Sequence, residues 1–484
     1  MNQTTLLSAA EYQVIMYILV AVAIAVFLFN IYRYFFINHS LKEHKLYLVW
    51  SLTGFVVVFC FWIFSMVASP QNFSTVIVIG VALLPIVIML ALLIIFIDLW
   101  MNYRRAKNFL KYGFTMVEVK LPKEMMKSPA SMELFLAALH QTSGEGGWLG
   151  KYWFGKTRAW FSLELVSIEG QIHFFIWMRE SFKNFISTSL YAQFPGIEVH
   201  DAVDYARSVH YDPKTMELWA ADLQFSKEDA YPIKTYVDYG LDQDPKEEFK
   251  VDPMAPVIEF LGSIGANQQA WIQILVRAYK KSDHVEPGRY FKKHDKRQKE
   301  AEALVNKLHK RHPETHVAGA VDEDSGFSKM PRITKGEEEI ISAIERNVTK
   351  LGFDVGIRLM YIAKKENFNG TITGNMQGCW KQYSAPHLNG FQTSDDLWFE
   401  RIDLPWEDRS GKMAEHYSRQ ALDMYKRRSY FFPPYTHIHG HIKPLIMSSE
   451  SLATIYHFPG AVVATPTLMR VPSKKGEAPA NIPV

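Results

Sequence analysis

Eight residues, Gly150 to Thr157 in the order GKYWFGKT, fit the phosphate-loop spacing G-x-x-x-x-G-K-[ST] letter for letter. In a working loop a strand feeds a glycine-rich turn into a helix N-terminus. Backbone N–H groups and the lysine then meet the phosphates, and the Ser or Thr hydroxyl holds the metal ion. The flanks of GKYWFGKT read differently. SMELFLAALHQ before it has helical spacing, and RAWFSLELVSIEGQIHFFIW after it alternates as a strand turning at Gly170, so no helix dipole faces a phosphate. Tyr152, Trp153 and Phe154 add bulk where backbone would have to approach a ligand. Gly150, Gly155, Lys156 and Thr157 are therefore read as a decoy in an aromatic loop, and no cofactor is expected. LIIFID, ending at Asp98, imitates a magnesium-binding strand but belongs to a long apolar run.

His437, His439 and His441 alternate in THIHGHIK, and an extended backbone would put the three imidazoles on one face, close enough to share a metal. Pro433, Pro434 and Gly440 argue for a loop entering a strand, and neither carboxylate nor cysteine lies close in sequence, so no metal is assigned. No serine elbow, zinc-ribbon pair or Cys–His spacing is present. The chain therefore reads as a non-enzyme. With 53 Lys+Arg against 50 Asp+Glu it lacks the basic excess of a dedicated nucleic-acid binder. Arg104 and Arg105, and the run Lys292, Lys293, Lys296 and Arg297, are the candidates for phosphate contact, on nucleic acid or lipid.

The elements that would position these residues begin with three apolar runs, 13–37, 47–68 and 76–100, each long enough for the ~20 residues a bilayer core requires. Lys and Arg cluster between the first two and after the third, so the positive-inside rule predicts an outside N-terminus and cytoplasmic soluble modules in a multi-pass protein of the cell membrane. Two cysteines, Cys60 and Cys379, suit a chain without a disulfide scaffold.

The fold class expected is a membrane-anchored α+β protein: three N-terminal transmembrane helices over 1–112, then ferredoxin-like modules. Residues 113–285 read β-α-β-β-α-β, with Pro129 at the start of the first helix, Ser181 as cap of the second, and Pro195-Gly196 stopping it. Residues 286–335 read as a basic helix and linker. A second α+β module spans 336–447, and 448–484 forms a short helix and a Pro/Lys-rich connector.

Three stretches carry a resemblance: WFSLELVSIEGQIHFFIW, the strand around Ile357-Arg358, and above all SSESLATIYHFPGAVVATPTLMRVPSKKGEAPANIPV from Ser448 to Val484. Together they resemble the membrane-anchored, non-catalytic N-terminal half of bacterial TraG-type and HerA-type DNA-translocating ATPases, the coupling-protein class of conjugation and type IV secretion. The resemblance covers about residues 115–484. In that class the ATPase core would follow where this sequence stops at Val484. It implies a non-enzymatic membrane platform for DNA transfer that can form a homo-oligomer and positions an ATPase encoded separately. The segment from Ser448 is then expected to be the docking element. The alternatives are a membrane-bound enzyme using the 150–157 loop or the histidines, and an envelope protein unrelated to DNA.

Overall fold

From residue 114 onward, alternating runs rich in Val, Ile, Leu, Phe and Trp take the extended conformation, and segments with 3.6-residue spacing fill the gaps between them. The computed structural model describes residues 73–122, 127–147, 149–242, 251–281, 295–310, 334–394, 408, 411–432, 444–460 and 470–471. Its elements are α1 (Phe73–Tyr112), β1 (Phe114–Pro122), α2 (Pro129–Leu139), β2 (Trp160–Ile168), β3 (Gln171–Arg179), α3 (Lys183–Gln193), β4 (Glu198–Ala202), α4 (Tyr205–Ser208) and β5 (Met216–Phe225). They continue with α5 (Ala255–Gly262), β6 (Gln268–Ala278), α6 (Lys296–Lys310), α7 (Lys335–Thr349), β7 (Gly352–Lys364), α8 (Gly370–Gly378) and β8 (Phe391–Thr393). The last are α9 (Lys412–Arg427), β9 (Leu445–Ser448), α10 (Ser449–Ile455) and β10 (Arg470–Val471).

Ten described strands form one sheet in the order β10-β1-β3-β2-β6-β7-β5-β8, with β4 beside β1 and β9 beside β7. Every pairing is antiparallel except that of β1 with β10. Register separates two faces. Val117, Ile176 and Leu163 are successive partners across β1, β3 and β2, as are Val119, Phe174 and Leu165, and these buried residues make an apolar face where Phe174 meets Tyr456 and Phe458. On the opposite face the neighbouring row is polar: Glu164, Gln273, Arg358 and Asp222 are successive partners across β2, β6, β7 and β5.

The chain divides into two compact units, one of Met1–Asn108, Gly147–Gly155 and Phe431–Ile442, the other of the remainder, which holds the sheet. In the described part of the first, Trp153 packs its ring 5.7 Å from that of Trp100 and accepts at its carbonyl from Arg104 Nε at 2.9 Å. In the second, α6 and α7 enclose a satellite cluster of Ala230, Ala301, Leu304, Leu308 and Ile344.

Two expectations are corrected. No helix among the described residues is long and apolar enough to cross a membrane, which overturns the three-span anchor, its outside-in orientation and the multi-pass cell-membrane location. The runs 13–37 and 47–68 lie outside the described residues. The run 76–100 is no separate span: it is the front of α1, one 40-residue helix with Pro85 inside it that continues through Arg104, Arg105, Lys107 and Lys111. The fold is α+β, but its strands do not close into separate ferredoxin-like modules. The strands of 113–202 neighbour one another as β4-β1-β3-β2, and the sheet then continues through β6 into β7, because β2 and β6 each have apolar residues on both sides and pair on both edges.

Candidate functional site

The first part, Ser448 to Phe458, of the stretch that carries the resemblance most specifically is built into the second unit. Ser448 ends β9 and caps α10, its Oγ accepting from Ser451 N at 3.2 Å. All seven residues of α10 are buried, including Glu450, which is 2% exposed. A charged residue so deep must be paired. The Glu450 carboxylate accepts from Thr235 Oγ1 at 2.6 Å and from Arg346 Nε at 3.1 Å, and Arg346 also pairs with Asp238 at 2.9 Å. Ser449 Oγ donates to Glu133 Oε1 at 2.8 Å, and Lys350 Nζ lies 2.9 Å from the same oxygen. Tyr236 donates its hydroxyl to Glu133 Oε2 at 2.8 Å and its N–H to Thr454 Oγ1 at 2.9 Å.

This hub joins α2, the loop at 235–238, α7 and α10. Burial alone would raise the Glu133 carboxyl, yet the hydrogen bonds from Lys350, Tyr236 and Ser449 hold it below the usual carboxylate range. Burial, with the bond to Glu133, pushes the Tyr236 phenol up. At the other end of α10, Tyr456, His457 and Phe458 are buried as well, Phe458 meeting Phe174 and Phe194 edge-on at 5.5 and 4.9 Å. Ser448 to Phe458 is therefore core and not a free docking element, a correction to the expectation from sequence. The exit is at Pro459-Gly460, and the chain returns at β10, where Arg470 and Val471 pair with Leu121 and Pro122 and Arg470 donates to Gly460 O at 3.0 Å.

A second polar assembly lies on the opposite face of the sheet. Arg428, fully buried just after α9, forks onto Glu164 at 3.0 and 3.1 Å and onto Asp204 at 2.6 and 2.9 Å. Tyr205 donates to Glu164 Oε2 at 2.8 Å and lies 2.8 Å from the Tyr425 hydroxyl. Gln273 donates to Glu164 Oε1 at 3.1 Å, and Arg358 pairs with Asp222 at 2.9 Å. Burial pushes the phenols of Tyr205 and Tyr425 well up. A carboxylate already holding a guanidinium, a phenol and an amide is fixed in one geometry by its partners. Sequence reading passed over this row. The only signal was a lone charge in each of several apolar strands (LEL, ADL, IRL), which shows that a partner is needed but not which residue it is.

The residues singled out from sequence fall as follows. Leu149–Trp153 forms a single wide turn, and Gly155 takes φ +65° where an added Cβ would fall 2.6 Å from the Arg104 backbone. Asn108 Nδ2 donates to Gly155 O at 3.1 Å. Thr157 runs through Arg158 into β2, and its hydroxyl accepts from Arg179 Nη2 at 2.9 Å, while Lys156 is exposed. Arg104 and Arg105 lie on α1, Arg104 also 5.6 Å over the Trp100 ring. Arg297 is buried and donates to the carbonyls of Lys350 and Asn347, so its charge faces inward, where burial lowers its basicity. Lys296 opens α6. Lys292, Lys293, His437, His439 and His441 lie outside the described residues. Among the described residues no group of three His, Cys, Asp or Glu could hold a metal.

Residues 110–470 match a family described as a domain of unknown function, DUF8128, and the chain belongs to that family. No curated protein matches the chain. These comparisons lend no support to type IV secretion or conjugation, and with the membrane anchor overturned those expectations are dropped.

Proposed function

We propose that this chain is a non-enzymatic scaffold that holds a separately encoded HerA-type ATPase at the segment following β10, with no role in conjugation or type IV secretion implied. The observation that carries the reading is the complete burial of α10. A seven-residue helix sunk between an ionic hub and an aromatic cluster delivers Pro459 to one position, and β10 pins the returning chain beside β1. Such an exit suits a connector that must transmit position. The paired charges of Glu450, Glu133, Arg428 and Arg358 support a scaffold over an enzyme, since each is already engaged inside the fold.

The test is co-purification with a HerA-type ATPase expressed from the same genome. Deleting residues 472–484 keeps β10 in place, and it is expected to abolish capture while the melting transition is unchanged. Undiminished capture refutes attachment there. The purified chain is also expected to show no ATP turnover, with Lys156→Ala indistinguishable from wild type. A nucleotide-dependent thermal shift lost on that substitution refutes the non-enzymatic reading.

A further inference from the structure

The described side chains of α1 leave a line of apolar residues bare. Met89, Leu92, Phe96, Leu99 and Tyr103 are each more than half exposed, and Ala106 is exposed after them. Their spacing is three, four, three, four and three residues, that of the a and d positions of a heptad. Other rows of the helix are engaged within the same unit: Trp100 packs its ring on Trp153, and Asn108 donates to Gly155 O. A line at 3.5-residue spacing on a 3.6-residue helix drifts off a flat partner by about 20° per heptad, and it stays in contact only with a second helix that winds about the first. The spacing therefore selects a helix as the occupant.

We propose that α1 pairs with α1 of a second copy of this chain, antiparallel, about a two-fold axis that crosses the helix between Phe96 and Leu99. About that axis every a position meets a d position. Met89 faces Ala106 of the second copy, Tyr103 faces Leu92, and Phe96 faces Leu99, a larger side chain against a smaller one in each layer. Run in parallel, like would face like: Ala106 against Ala106 leaves a gap, and Phe96 against Phe96 crowds its layer. Charge agrees with the direction. Residues 73–97 hold no Asp, Glu, Lys or Arg, whereas Arg104, Arg105 and Lys107 cluster at the C-terminal end of the line. An antiparallel pair sets the two basic ends about 24 Å apart at 1.5 Å per residue, beyond the ~10 Å over which exposed charges repel in salt, and a parallel pair sets them side by side. The bare area, with Leu93 beside the line, is on the order of 700 Å² a copy, near the ~800 Å² per partner of a stable interface.

The test is sedimentation of the full chain in lipid-free buffer, with Phe96→Lys compared against Ile97→Lys. Both side chains are exposed to a similar extent, but only Phe96 lies on the line. The wild type should sediment as a concentration-dependent dimer. Phe96→Lys should weaken association by about 30-fold or more, as loss of a central anchor does, and Ile97→Lys should leave it unchanged. Direction is read with a short thiol cross-linker in chains that also carry Cys60→Ser and Cys379→Ser. Met89→Cys mixed with Ala106→Cys should yield a linked dimer, and Ala106→Cys alone should not. A wild type that stays monomeric at tens of micromolar overturns the pairing, including one that then floats with lipid vesicles. Equal loss in the two lysine variants also overturns it, since a flat or lipid partner would use both residues. Linkage through Ala106→Cys alone overturns the antiparallel direction.

Discussion

At residue scale, the polar row depends on Arg428 in an unusual backbone state. Its φ of 50° is a left-handed value that costs a non-glycine residue, and the conformation is kept because the guanidinium then reaches Glu164 and Asp204 together. Arg428→Gly would ease the backbone but remove the buried guanidinium from Glu164 and leave Asp204 with only the exposed Arg207, so it should destabilise by about 3–5 kcal/mol in chemical unfolding. A loss below ~1 kcal/mol would show that water replaces the guanidinium. Gly356 makes the opposite point. A Cβ there would fall 2.5 Å from the Tyr430 ring, so Gly356→Ala should cost about 1–3 kcal/mol, and Tyr430→Ala should cancel much of that increment in a double-mutant cycle. Neither dependence was legible in the sequence. Arg428 stands in YKRRSY among equivalent-looking basic residues, and the partner that singles it out, Glu164, lies 264 residues away.

At element scale, local chemistry was legible where a cap or breaker acts within its own segment. Ser128 caps α2 with Pro129 next to it, and α7 opens on a capping box of Thr334 and Glu337 where an acidic first turn predicts a helix. Ser181 does not cap α3: Glu180–Phe182 is a short 3₁₀ turn and the helix starts from Phe182, so tertiary packing overrides the local preference. Ser448 does cap α10, and Ser448→Ala should cost about 1 kcal/mol through the loss of its bond to Ser451 N. The hub at the same helix adds a pH dependence. Glu133 and Asp252 are both held below their ordinary values near 4.5 and 3.8. Groups depressed in the folded state contribute stability above the unfolded value, and that stability disappears as pH falls through the folded one. The melting midpoint should therefore decline below about pH 4.5, and Glu133→Gln should flatten part of that decline. An identical acid limb in that variant would remove Glu133 from the account.

At the scale of the whole molecule, sequence periodicity located most strands but not the sheet they make, because pairing partners lie far apart. β6 reads as a strand in QQAWIQILVRAY, yet nothing in those residues states that one edge takes β2 and the other β7, more than seventy residues later. That double pairing is why residues 113–285 do not stand as a module. Cut at 285, β6 would present its full β7-facing edge, Gln268–Ala278, to water, and the apolar face would lose α10 with Tyr456 and Phe458 from over Phe174. β5 would fare no better. Its described neighbours, β7 and β8, both come from beyond the cut, so it would have no strand to pair with. The expected result is that a 113–285 fragment aggregates or melts without a cooperative transition, whereas 109–484 gives one sharp transition in the same calorimeter. A sharp, concentration-independent transition from the short fragment would restore the separate module and make the β6–β7 pairing an interface between domains instead of the centre of a core.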